Sequence, residues 1–133
     1  MEHAPQIRLD PESSAAPSEQ LVQRVLELVA SGALGAGAKL PSVRGLAAAA
    51  LVNHNTVARA YRELEVLGVV RGENGRGVFV TDAGPRIARE QHGGATLAGF
   101  ETAARAALRC GHPIEHLSEI LRSLAATEQR RAS

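Results

Sequence analysis

Apolar residues recur at three- and four-residue steps along most of this chain, the spacing that places them on one face of a helix. Leu21, Val22, Val25, Leu26, Leu28 and Val29 make the first such face. Ser18 is the expected N-cap of that helix, with Glu19 in the first turn, and Ser31-Gly32 its end. Upstream, Ile7, Arg8 and Leu9 suit a short edge strand, and Asp10 to Pro17 reads as a loop. Gly35-Ala36-Gly37 reads as a flexible connection. A second helix opens at Pro41-Ser42, with Ser42 as cap and Val43, Leu46, Ala47 and Ala50 as its buried stripe. The Ala47 to Ala50 run invites another helix to pack closely. Leu51 and Val52 make a tight turn, and Asn53 caps a third helix that runs to about Leu67 and stops at Gly68.

The pattern then changes. Val69 to Gly72 and Gly77 to Val80 read as paired strands, with Asn74-Gly75 as a type I′ hairpin turn. Asp82 to Pro85 is a breaker and the expected domain boundary. A fourth helix is expected from about Arg86 to Arg109, interrupted or started late by Gly93-Gly94, with Leu97, Phe100, Ala104, Ala107 and Leu108 on its apolar face. Gly111-His112-Pro113 is a turn, and a last helix follows before the polar tail EQRRAS. It carries Ile114, Leu117, Leu121 and Leu124, whose alternating three and four steps form a bundle or coiled-coil seam. The expected fold is mainly α with a small β wing: a winged helix-turn-helix over residues 1–84 and a two-helix dimerisation region over residues 85–133.

Tyr61, Phe79 and Phe100 are the only aromatic residues, so the core must be built from Leu, Val and Ala. The net charge of +1 excludes a bulk polycation. Its distribution is more telling. From Ala36 to Thr81, Lys39, Arg44, Arg59, Arg62, Arg71 and Arg76 face only Glu63, Glu65 and Glu73. The segment before it is net acidic, so a basic stretch coincides with the helix-turn-helix and wing. Cys110 is the single cysteine, no apolar run suits a signal peptide or a bilayer span, and a cytoplasmic protein is expected.

On a helical wheel of the third helix, Val57, Tyr61 and Leu64 face inward while Asn55, Arg59 and Arg62 fall near the opposite side. Arg pairs bidentately with guanine and Asn with adenine in the major groove. His54 and Thr56 lie in the first turn, where free amides suit a phosphate. Arg44 lies in the first turn of the second helix, where a cation is unfavourable unless it has an anionic partner. Gly75-Arg76-Gly77 lets a wing tip approach DNA, with Arg76 reaching phosphate or a narrow minor groove.

LPSVRGLA, NHNTVARAYRELEVLGVV and GRGVFV together resemble the DNA-binding domain of GntR-family bacterial transcription regulators, over roughly Ser18 to Val80. The NxNTVxRAYRELExxG form and short tail are most similar to the YtrA-like subfamily; the MocR branch carries a large additional domain. The resemblance implies DNA contacts from Arg44, His54, Asn55, Thr56 and the Gly75-Arg76-Gly77 tip. Ala58 stands where some subfamilies have a base-reading Arg, and the outward Arg59 is expected to take over that work. It also implies a repressor of its own operon, often one encoding an ABC transporter, and a homodimer on an inverted-repeat operator. The expected dimer contacts are Leu97, Phe100, Ile114, Leu117, Leu121 and Leu124.

No cofactor, membrane partner or nameable effector is expected, and no paired carboxylates, phosphate loop or nucleophile motif points to an enzyme. Two other readings compete. Cys110, His112 and His116 form a C-x-H-x3-H arrangement that suits a metal-responsive repressor. A winged domain that binds protein instead of DNA would be an interaction adaptor.

Overall fold

A computed structural model describes residues 7–132. In order, α1 spans Pro17–Ala30, α2 Val43–Ala50, α3 His54–Leu67, β1 Val70–Glu73, β2 Gly77–Val80, α4 Gly84–Arg109 and α5 Ile114–Ala132. The chain divides into two compact units, one through Gly94 and one from Ala95.

The first unit is built around α1 and α3. Leu21, Val25, Leu26 and Val29 of α1 are fully buried with Val57 and Leu64 of α3 and with Val69, Val70 and Val80 at the wing base. These are the aliphatic positions that the periodicity picks out, so burial of this face is the main force holding the unit together. The α1 boundary differs from expectation. Pro17 is itself helical and Ala16 is the N-cap, with no side-chain cap bond, so Ser18 lies inside the first turn. Proline preorganises N1 and lacks an N–H that would need a partner there, so the helix starts one residue before the serine. Ile7 is buried, but residues 7–9 form no strand. Ile7 is held by burial and not by a ladder.

The α2 cap is as expected, with the Ser42 hydroxyl oxygen accepting from the Gly45 N–H at 3.0 Å. Leu46 and Ala47 are buried and Val43 and Ala50 half-buried, but Ala48 and Ala49 face outward, because so short a helix offers one narrow face. Leu51 ends α2 in the left-handed region (φ 58°) and is 91% exposed. The Val52 N–H closes the turn on the Ala47 carbonyl at 3.0 Å.

In the wing, β1 and β2 are antiparallel, with Val70 opposite Val80 and Glu73 opposite Gly77. This register leaves three residues at the tip, not two. The Arg76 N–H donates to the Glu73 carbonyl at 3.0 Å, and positive φ falls on Gly75 but not on Asn74. That is the type II pattern, so the expected type I′ turn is corrected. The connection before α2 is also less free than its glycines suggest. Gly37 and Leu40 donate to the carbonyls of Val80 and Val78 at 2.9 and 2.8 Å, and Lys39 bridges Phe79.

Helix α4 starts at Gly84, before the expected position, and runs unbroken through Gly93-Gly94. Gly84 is required where it stands: a Cβ there would lie 2.6 Å from the Val69 carbonyl oxygen and 2.8 Å from Val80 Cγ1. The Thr81 hydroxyl donates to the Gly68 carbonyl at 2.6 Å, so the chain leaving the wing is fastened where α3 ends. In the second unit Leu97, Phe100, Leu108, Ile114, Ile120, Leu121 and Leu124 are exposed and Leu117 is half-buried.

Candidate nucleic-acid interface

The site is organised by α3. The Asn53 Oδ1 accepts from the Asn55 N–H at 2.7 Å, and the Asn53 carbonyl accepts from Thr56 and Val57 at 3.0 and 3.4 Å. The cap therefore uses amides that the sequence reading offered to phosphate, and the His54 N–H is left as the first-turn donor. Inward, Val57, Ala60, Tyr61 and Leu64 are buried. Outward, His54, Asn55, Arg59 and Arg62 are exposed and Thr56 is half-buried, which is the division the helical wheel predicts.

Tyr61 sets the angle between α3 and the segment entering α2. Its hydroxyl donates to the Pro41 carbonyl at 2.7 Å. Burial pushes the phenol well above its ordinary value, because the ionised form would lose its hydration. A group whose folded pKa is raised keeps its full contribution below the unfolded pKa and loses it above. Stability is therefore expected to fall as pH rises past about 10, where the unfolded chain's tyrosine ionises first. Tyr61→Phe should lose about 1 kcal/mol at pH 7 and flatten this alkaline loss. Chemical denaturation at pH 7 and above pH 10 checks both effects.

The cationic side chains divide into two sets. Arg44, Arg59 and Arg62 are exposed and, among the described residues, form no ion pair. The wing arginines are held instead. Glu73 pairs with Arg71 at 3.1 Å and with Arg76 at 3.7 Å, while the Arg76 side chain stays largely in solvent. Three features of the site had no signal in the sequence reading. Glu65 of α3 accepts from the Gly72 N–H at 2.8 Å, fixing the wing to the helix. The Lys39 stem lies across Gly77, where a Cβ would meet its Cε at 2.7 Å, so Gly77 makes room for a lysine beside the wing tip. Ser18, Asn55, Thr56, Arg59 and Arg62 line a cleft of about 390 Å³ between the start of α1 and α3. Each of these joins residues far apart in sequence.

Cys110, His112 and His116 are exposed. Among the described residues, no group of three or more His, Cys, Asp or Glu side chains is placed to hold a metal ion. The turn at Gly111 to Pro113 separates Cys110, at the end of α4, from His116 on α5, so the three are not assembled as a ligand set.

A short helix, a tight turn, a capped helix with unpaired cations and a fastened hairpin define a winged helix-turn-helix of the DNA-binding class. Residues 17–80 match the family described as "Bacterial regulatory proteins, gntR family". The chain is 43% identical over 76 residues to the HTH-type transcriptional repressor YtrA of Bacillus subtilis, covering 57% of this chain and 58% of that protein. It is 38% identical over 97 residues to the HTH-type transcriptional regulator Rv1152 of Mycobacterium tuberculosis, covering 69% of this chain and 80% of that one. Its fold is similar to that of a GntR family transcriptional regulator from Listeria monocytogenes, with a TM-score of 0.70 and 26% identity over 86% of this chain and 98% of the other. The chain belongs to the gntR family of bacterial regulatory proteins, and it spans a little over half the length of the B. subtilis repressor.

Proposed function

We propose that the protein is a homodimeric repressor that binds an inverted-repeat operator, with α3 of each subunit in the major groove of one half-site. The observation that carries this reading is the row of Asn55, Arg59 and Arg62 outward on a capped helix, with both arginines unpaired among the described residues. An exposed cation that is held in no ion pair is free to meet a base edge or a phosphate. In this reading His54, Asn55, Thr56 and Arg59 face the bases, and Arg44 and Arg62 complete the contact. The Gly75-Arg76-Gly77 tip approaches the adjacent backbone or minor groove. Residues 1–84 read DNA, and residues 85–133 pair two subunits.

The exposed apolar seam on α4 and α5 supports the dimer, since single exposed apolar residues are ordinary but a repeated row is an association surface. Similarity to the B. subtilis repressor supports repression. Control of the protein's own operon, with an ABC transporter as its product, extends that similarity further. Such a regulator works in the cytoplasm, and no helix among the described residues is long and apolar enough to cross a membrane.

Selection of bound sequences from a random duplex pool, with and without chelator, tests the function. A two-fold symmetric consensus indifferent to chelator is the expected result. A consensus that requires metal would instead assign the protein to metal sensing, and no consensus at all would make it an interaction adaptor.

A further inference from the structure

We propose that Lys39, in the connection that enters α2, is the cation through which the wing holds a DNA backbone phosphate. The proposal rests on the DNA-binding reading above and gives a role to a residue which that reading leaves out.

The backbone fixes where Lys39 stands. The Val80 N–H donates to the Ala38 carbonyl at 2.9 Å and the Leu40 N–H to the Val78 carbonyl at 2.8 Å, so the connection pairs with β2 and Lys39 bridges Phe79. Its side chain then lies across Gly77 at the wing tip. A Cβ on Gly77 would lie 2.7 Å from the Lys39 Cε and 3.6 Å from its Nζ. The lysine stem therefore takes the space that a side chain would fill, and its ammonium group ends beside the tip.

Charge separates Lys39 from the arginines of the wing. The two carboxylate oxygens of Glu73 are taken by Arg71 at 3.1 Å and by Arg76 at 3.7 Å. Lys39 is exposed and forms no ion pair among the described residues. A phosphate must displace a carboxylate to reach Arg71 or Arg76, whereas Lys39 has only water to shed. An ammonium is a compact point charge without a fixed fork, which suits a phosphate and carries no base preference. Arg44, exposed and equally unpaired in the first turn of α2, continues this free charge away from the wing. Lys39 is then a backbone-positioning residue that sets where the wing rests on the duplex.

Lys39 is the only lysine among the 15 Lys and Arg residues of the chain, so amine chemistry reports on it and on the N-terminus alone. The protein should be treated with an amine-acylating reagent free, on the selected operator and on random duplex, with labelling of Lys39 read by mass spectrometry. Both duplexes are expected to slow that labelling about fivefold or more, since a phosphate contact is indifferent to sequence. Lys39→Gln, Lys39→Arg and Arg76→Gln should then be titrated on both duplexes across a salt series. Lys39→Gln is expected to weaken both about fivefold and to lower the salt slope by about one. Lys39→Arg should keep the wild-type slope, because the charge is retained. Arg76→Gln should change the slope less than Lys39→Gln, because Glu73 already offsets that charge. Lys39 labelled equally fast with and without DNA would overturn the proposal, and this reading needs no variant to fold. So would a Lys39→Gln variant with the wild-type slope, or one that spares random duplex and relaxes a single operator base. A larger slope change in Arg76→Gln than in Lys39→Gln would return the contact to Arg76 and overturn it as well. Wild type that binds no duplex would defeat the DNA-binding reading itself, an outcome distinct from wild type that binds with Lys39 still open to the label.

Discussion

Arg59→Ala is expected to cost about 1–3 kcal/mol of operator affinity, roughly 5- to 150-fold, and to relax one base position in each half-site. Arg59 sits on the outward face of α3, between the buried Val57 and Ala60 that anchor the helix. Truncating it leaves α3 in place, so the loss measures contact with DNA and not folding. No ion pair holds Arg59 among the described residues, so its removal strands no carboxylate. The discriminating measurement is affinity on a panel of single-base operator variants. Loss at one position only, with random duplex bound nearly as before, marks base readout. An equal loss on every sequence would make Arg59 a phosphate contact and move specificity to Asn55 and its neighbours.

Arg76→Ala should behave differently. Glu73 already pairs with Arg76 at 3.7 Å and with Arg71 at 3.1 Å, so DNA must compete with a wing-internal carboxylate for these cations. Arg59 and Arg62 form no ion pair among the described residues.

The helices were legible in the sequence wherever one face had to be buried. Leu21 to Val29, and Val57 with Tyr61 and Leu64, announce α1 and α3 because only helical spacing sends them all inward. Caps were legible where a side chain makes the bond, as at Ser42 and Asn53, and misread where backbone geometry decides, as at Pro17. Gly93-Gly94 suggested a break. Two glycines cost about 1 kcal/mol each in a helix, too little to interrupt one 26 residues long. Asn74-Gly75 marked a turn correctly but not its type, because strand register and not the dipeptide sets the number of residues at the tip. The row of Asn55, Arg59 and Arg62 could be placed from the wheel alone. The Ser18 cleft, the Lys39 stem over Gly77 and the bond from Glu65 to Gly72 could not, since each depends on how separate elements pack.

Leu121→Glu is expected to turn the proposed dimer into a monomer and to lower operator affinity by about two orders of magnitude or more. Ile114, Leu117, Leu121 and Leu124 repeat at alternating three and four steps along α5, and Phe100 and Leu124 are 51% and 57% exposed. A carboxylate in the middle of such a seam must be desolvated for two subunits to associate, and the cost is incurred twice in a symmetric interface. Joining two half-site readers raises effective affinity by about 10²- to 10⁴-fold without any new DNA contact, and losing the dimer removes that gain. The unit through Gly94 has its own buried core, so the variant should keep its cooperative thermal unfolding and its weak, salt-sensitive binding to one half-site. Sedimentation measured beside operator titration separates the outcomes. A monomer that still binds the full operator at wild-type strength would show that pairing through the tail is not what joins the half-sites. A variant that stays dimeric would place the subunit contact away from Leu121, on another part of the chain.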